Sequence, residues 1–301
     1  MIKIALIQQS FVKDKSKNIS NSVELIREAS SQGAELVVMP ELHQSEYFPQ
    51  SYDTIFFDYA QNYNDDLLYW AKVSKENNIV LVTSLFEKAL DGLYFNTAVV
   101  FDKDGSIAGK YRKMHIPDDP NFYEKYYFSE GDMGFEPIKT SIGNLGVMVC
   151  WDQWFSESAR IMALKGADML IYPTAIGWLK SELNDKSKSA KKELKSQRKS
   201  WITIQKSHSI ANALPVISVN RVGFEKDKTN DNQGIKFWGS SFVTDTRGNI
   251  ISKANNMANK KDSCIVYADI DLKKRKETRI NWPFLRDRRV EYYKELVKKS
   301  K

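Results

Sequence analysis

Residues 145–156 read LGVMVCWDQWFS, and this stretch decides how the chain is built. Residues 145–149 form a short apolar run with the composition of a buried strand, and the run stops at Cys150. Residues 156–165 then carry a helical apolar spacing that Gly166 ends. Cys150 therefore stands on a strand-to-helix turn. Free backbone NH groups there, with a helix dipole behind them, favour a thiolate and can hold a developing oxyanion. Taken alone, the segment also allows a buried structural cysteine.

The same alternation extends in both directions from this turn. Upstream, strand patterns at 2–8, 35–39, 79–86, 94–101 and 106–111 alternate with helical patterns at 18–31 and 65–77, and 102–105 (DKDG) makes a hairpin turn. Downstream, strands are predicted at 169–172, 216–220, 239–244 and 265–269, with a long helix over 189–212. Strands outnumber helices, yet helices recur between them, which predicts an α/β protein with two sheets and helices outside. No repeat at a solenoid period and no Pro-, Gly- or Ser-rich linker is found. The expected organisation is one domain over 1–301, with a C-terminal extension from about 271.

With 301 residues, 42% hydrophobic and 28% charged, the chain can bury a sizeable core and stay in solution. No apolar run approaches the roughly 20 residues that span a bilayer, and MIKIALIQQS enters a strand pattern without a signal-peptide layout. A cytoplasmic protein that does not engage membranes is expected. The two cysteines, Cys150 and Cys264, suggest free thiols, with Cys264 packed in the core. The net charge of +7 is concentrated in 186–199 (KSKSAKKELKSQRK) and in 273–301. Both read as solvated faces, and no zinc-finger or RNA-binding signature accompanies them, so nucleic acid is not an expected partner.

Two further residues stand where chemistry is placed. Glu41 follows Val37-Val38-Met39-Pro40, so its carboxylate emerges at the carboxyl end of a strand, where open α/β sheets keep their ligands. Lys113 lies just past another strand, in Tyr111-Arg112-Lys113. Each alone would read as a cap, a salt bridge or a solvated charge. Together, Pro40-Glu41-Leu42, Tyr111-Arg112-Lys113 and Cys150-Trp151-Asp152, in that order, resemble the nitrilase superfamily of carbon-nitrogen hydrolases. The blocks Tyr172-Pro173-Thr174-Ala175, Ser218-Val219-Asn220-Arg221-Val222-Gly223, Gly239-Ser240-Ser241-Phe242 and Arg286-Asp287-Arg288-Arg289 extend the resemblance over nearly the whole chain.

That resemblance implies a four-layer α-β-β-α sandwich and a homo-oligomer built from dimers. It implies Cys150 as nucleophile, Glu41 as proton shuttle and activator of water, and Lys113, with the NH of Trp151, as oxyanion stabiliser. Glu124 matches a supporting carboxylate. No cofactor and no metal is called for. His43 and His115 flank these residues and are read in supporting or surface roles.

Blocks 150–155, 118–120, 124–128 and 172–177 look most like the branch that cleaves the ureido group of N-carbamoylputrescine, a cationic small molecule of the polyamine route. Carbamoyl-β-alanine or ω-amide hydrolysis is the alternative. Relatives that bind a substrate carboxylate typically place an arginine just after the nucleophile, and Gln153-Trp154 offers none. Substrate contacts are expected from Tyr47, Trp151, Asp152, Trp154 and Ala175. Glu46, Asp118, Asp119, Asp152 and Glu157 are candidates for holding an ammonium.

Overall fold

The computed structural model describes residues 1–230, 232–254 and 263–300. Its first strand, Ile2–Gln8, shows how the architecture follows from sequence. Successive strand side chains point to opposite faces, and here Ile4 and Leu6 enter one apolar core while Ala5 and Ile7 enter another. The split recurs at Leu36 and Val38 against Val37, and at Val80 and Val82 against Leu81. Strands buried on both faces read as unbroken apolar runs, which is the pattern residues 4–7, 36–38 and 80–82 show.

Two six-stranded mixed sheets result. In the first, Ile2–Gln8, Leu36–Val38 and Val80–Leu90 are parallel neighbours. Leu93–Phe101 and Ile107–Arg112 continue antiparallel on one side, and Cys264–Ile270 closes the other. In the second, Gly143–Val147, Met169–Thr174 and Val216–Asn220 are the parallel trio. Ile138–Thr140 closes one side, and Phe242–Thr244 and Ile250–Lys253 continue the other. The two sheets thus share one topology, a doubling that no sequence repeat announces.

Helices α1 (Lys15–Ser31) and α2 (Tyr63–Asn77) cover the outer face of the first sheet, where Ile26, Ala29, Trp70 and Val73 join Val37 and Leu81. Burying side chains the size of Ile26 and Val73 contributes roughly 1.5–3 kcal/mol each. Helix α3 (Ser156–Leu164) seats Ala159 and Met162 in the core shared by the second sheet. The short α4 (Lys180–Asn184) leads into α5 (Lys188–Asn212), whose Trp201 packs on Trp238 and Phe242. Between the sheets, Ile4, Leu6 and Val100 share one core with Leu145, Val147 and Ile217. The fold is a four-layer α-β-β-α sandwich.

Differences from the sequence reading are local. Helix α1 begins earlier than residue 18 because the Asp14 side chain accepts from the Lys17 NH and caps it. The strand expected over 239–244 shrinks to Phe242–Thr244, since Gly239 and Ser240 adopt φ of 55° and 60°. Val222–Lys226 and Gly234–Trp238, not anticipated, form a small third sheet with Gly177–Leu179. The basic segment 186–199 does lie largely in an exposed helix, with Lys188, Lys191, Lys192 and Lys195 in solvent. After α6 (Leu272–Asn281) the described residues run through turns and the short 3-10 segments Val290–Tyr292 and Lys294–Val297, and Lys301 lies outside the described residues. Among the described residues, no helix is long and apolar enough to cross a membrane.

Candidate active site

Three strand ends converge on one buried charge cluster. Glu41 follows Leu36–Val38, Lys113 follows Ile107–Arg112, and Glu124 opens a 3-10 turn after Phe122–Tyr123. The Lys113 ammonium donates to Glu41 Oε1 at 2.8 Å and to Glu124 Oε2 at 2.6 Å, and all three side chains are shielded from solvent. Asn96 Nδ2 donates to Glu41 Oε1 at 2.6 Å, and the Tyr47 hydroxyl donates to Glu124 Oε1 at 2.6 Å. One carboxylate oxygen, Glu41 Oε2, is buried with no hydrogen-bond partner among the described residues. An orphaned buried oxygen is costly, and a base waiting for a proton is the chemistry it suits.

Electrostatics follow from this crowding. Burial disfavours the Lys113 ammonium, but Glu124, Glu41 and Cys150 outweigh it and hold the amine above its ordinary range. Burial raises the Glu124 carboxyl, against Lys113 and with Glu41 adding repulsion. Burial likewise pushes the Cys150 thiol well up, reinforced by Glu41 and only partly opposed by Lys113. The local NH groups and dipole expected to favour a thiolate are thus outweighed by burial and by the facing carboxylates, in keeping with Glu41 as the acceptor of the Cys150 proton. Cys150 begins a five-residue 3-10 turn, Cys150–Trp154, so no long helix dipole points at it, and two carboxylates face it from within the protein.

The turn itself is strained and fastened. Cys150 has φ of 43°, in the left-handed region that a side chain rarely adopts. Asp152 secures it: Oδ2 accepts from the Val149 NH at 3.0 Å and the Tyr111 hydroxyl at 2.8 Å. Its Oδ1 accepts from the His115 NH at 3.0 Å and lies 2.7 Å from His115 Nδ1. The His115 ring stacks on Phe155 with centroids 3.7 Å apart. Gln153 ties the turn to α5 through Trp201 Nε1 and Gln205 Nε2, both at 2.7 Å from its Oε1.

A second device holds the Glu41 side. Leu42, at φ of 48°, follows the carboxylate. Arg221 Nη1 donates to the carbonyls of Glu41 and Leu42 at 2.9 and 3.1 Å, and Nη2 to that of Ser45 at 2.7 Å. Glu225 pairs with Arg221 at 2.8 Å and accepts from the Tyr47 NH at 2.6 Å. The loop 41–47 is thus clamped at both ends.

Above the cluster opens a cavity of about 460 Å³ lined by Cys150, Glu124, Trp151, Trp154 and Ala175, among others. The Ala175 carbonyl sits 3.7 Å from Cys150 Sγ. Asp119, Glu182 and Glu193 also line it, whereas among the described residues no Lys or Arg does. A site with a buried thiol, an unpartnered carboxylate oxygen and a fixed ammonium can run nucleophilic acyl transfer.

The sequence profile of the carbon-nitrogen hydrolase family matches residues 3–280. The chain belongs to that family. It is a carbon-nitrogen hydrolase of the nitrilase superfamily and an amide-hydrolysing enzyme. It is 38% identical over 299 residues to an N-carbamoylputrescine amidase of Oryza sativa subsp. japonica, covering 98% of this chain and 94% of that one. It is equally 38% identical, over 300 residues and 99% of both chains, to a citrullinase of Francisella tularensis subsp. tularensis. The crystal structure of a carbon-nitrogen hydrolase from Helicobacter pylori G27 superposes with a TM-score of 0.93 at 48% identity, covering 100% of this chain and 99% of the other.

In this carbon-nitrogen hydrolase the fold brings Glu41, Lys113 and Glu124 into direct contact and sets Cys150 at the cavity floor beside them. Of the expected substrate contacts, Trp151, Trp154 and Ala175 line the cavity. Asp152 does not: it is fully buried, and both its oxygens are occupied by the four contacts described above. Tyr47 serves Glu124 rather than lining the cavity. Of the ammonium candidates, only Asp119 lines it, while Glu46 pairs with Lys228 at 3.4 Å, and Asp118 and Glu157 lie in solvent. His43 is buried against Trp70 rather than at the surface, and Cys264 is half-buried.

Sequence reasoning missed Asn96, the Arg221–Glu225 clamp and Glu182. Asn96 left a signal: with Thr97 it forms a polar pair in the largely apolar strand Leu93–Phe101. The other two become visible only when distant segments meet.

Proposed function

We propose that this enzyme hydrolyses N-carbamoylputrescine to putrescine, carbon dioxide and ammonia, a step of polyamine biosynthesis. The observation that carries the reading is the charge of the cavity: carboxylates line it and, among the described residues, no cationic side chain does. A ureide whose far end is an ammonium is welcomed there. One with a carboxylate at that end meets the repulsion of those acids with no cation to offset it. The amidases of this name among the relatives support the same choice.

In this mechanism Glu41 Oε2 takes the Cys150 proton as the sulfur attacks the ureido carbon. Lys113 and the Trp151 NH stabilise the oxyanion that forms. Glu41 then passes the proton to the departing nitrogen, leaving a thiocarbamate on Cys150. Water, deprotonated by Glu41, attacks that carbon and the thiol leaves with a proton. The freed carbamic acid loses carbon dioxide. Glu124 and Tyr47 keep Lys113 aimed throughout.

A citrullinase reading is the second one, favoured by the Francisella relative. Citrulline carries a carboxylate beside its ammonium, so it would need a cation the cavity lining does not offer. Ammonia release from N-carbamoylputrescine, citrulline and N-carbamoyl-β-alanine, with Cys150→Ala as blank, tests the choice. Preference for the cationic ureide supports the proposal, and preference for citrulline overturns it.

A further inference from the structure

Resting on the reading above, we propose that Glu182 receives the free ammonium of the substrate and so sets the preference for a cationic ureide. Four acids line the cavity: Glu124, Asp119, Glu182 and Glu193. Glu124 is engaged with Lys113 and Tyr47. Asp119 and Glu193 are exposed, where water and salt screen them. Glu182 differs from all three. It is half-buried, and two donors hold its carboxylate: the Leu179 NH gives to Oε2 at 2.8 Å and Gln197 Nε2 gives to Oε1 at 2.7 Å.

Both donors are neutral, so neither compensates the charge they orient. Each carboxylate oxygen keeps a further lone pair for an incoming donor. A preorganised acceptor loses little freedom on binding, which is where affinity for a flexible diamine chain is usually lost. Chain continuity links this acid to the chemistry. Residue 175 offers its carbonyl to Cys150 Sγ, Gly177–Leu179 runs on as a strand, and Glu182 follows in α4, so one short segment lines the cavity between nucleophile and carboxylate. Close packing fixes that path: a Cβ at Gly177 would meet the Lys236 carbonyl at 2.5 Å. Gln197 belongs to the basic helical segment of α5, whose inner face thus frames the specificity residue while its lysines stay in solvent.

The test compares wild type and Glu182→Gln on two ureides of matched length, N-carbamoylputrescine and n-pentylurea, in which a methyl replaces the ammonium. Losing one charged hydrogen bond should cut kcat/KM for the cationic ureide about ten- to a hundredfold, mostly through KM. Turnover of n-pentylurea should stay within about twofold, which also reports an intact site. Unchanged kcat/KM on N-carbamoylputrescine overturns the assignment. An equal loss on both ureides also overturns it, because Glu182 would then only brace the wall. If wild-type enzyme itself prefers the neutral or a zwitterionic ureide, the functional reading fails before this one is reached.

Discussion

At Cys150, burial beside two carboxylates keeps sulfur protonated until substrate arrives, so proton transfer to Glu41 must accompany attack. The expected signature is the absence of ultraviolet thiolate absorbance at neutral pH in wild type minus Cys150→Ala. A thiolate band there would refute the concerted picture. His43 carries a second prediction. Burial, with Arg221 and Lys15 adding repulsion, lowers its pKa from 6.5 to about 3, and neither ring nitrogen has a hydrogen-bond partner among the described residues. The unfolded chain then binds this proton when the folded one does not. Stability is full above about pH 6.5 and falls as pH drops toward 3, by about 1.4 kcal/mol per pH unit. Denaturant titrations across that range should show the slope, and His43→Leu should flatten it.

Elements hold these residues through a few contacts that the chain closes from far away. Asp152→Ala releases the Val149 and Tyr111 contacts at once, so the Cys150 turn should relax; a misplacement of that kind costs on the order of a hundredfold in kcat. KM should change little, since Asp152 does not line the cavity, and a purely KM effect would instead restore it as a substrate contact. Gly131 works on the opposite strand end. Its NH donates to the Lys113 carbonyl at 2.9 Å, and a Cβ there would clash with the Arg112 carbonyl. Gly131→Ala should therefore shift Lys113 and lower kcat together with the melting temperature. Arg221→Met should be the most damaging, by about 3–5 kcal/mol, because it strands buried Glu225 and frees the loop 41–47. Urea unfolding of the purified variant measures this directly.

At the scale of the whole molecule the surface bears on assembly. Trp282, Phe284, Val290, Tyr292, Leu296 and Val297 are exposed along the C-terminal segment, which is unusual for a terminus meant to stay in water. The chain is expected to sediment as a homo-oligomer, and a monomer at micromolar concentration would overturn that expectation. Much of the fold was legible in the sequence because strands buried on both faces must be apolar without interruption, as at 4–7, 36–38 and 80–82, and because helices between them need one apolar stripe. Glu41, Lys113 and Cys150 each stand at a strand end, but their roles were legible only as a set, from the ordered blocks that resemble the nitrilase superfamily. What only the tertiary structure decided is how they are used. The charge state of Cys150, the saturation of Asp152 and the orientation of Glu182 depend on burial and on partners from residues 111, 115, 179 and 197. Local sequence sets a side chain's chemistry and its strand or helix face, but its dielectric surroundings and its hydrogen-bond partners exist only once distant segments pack together.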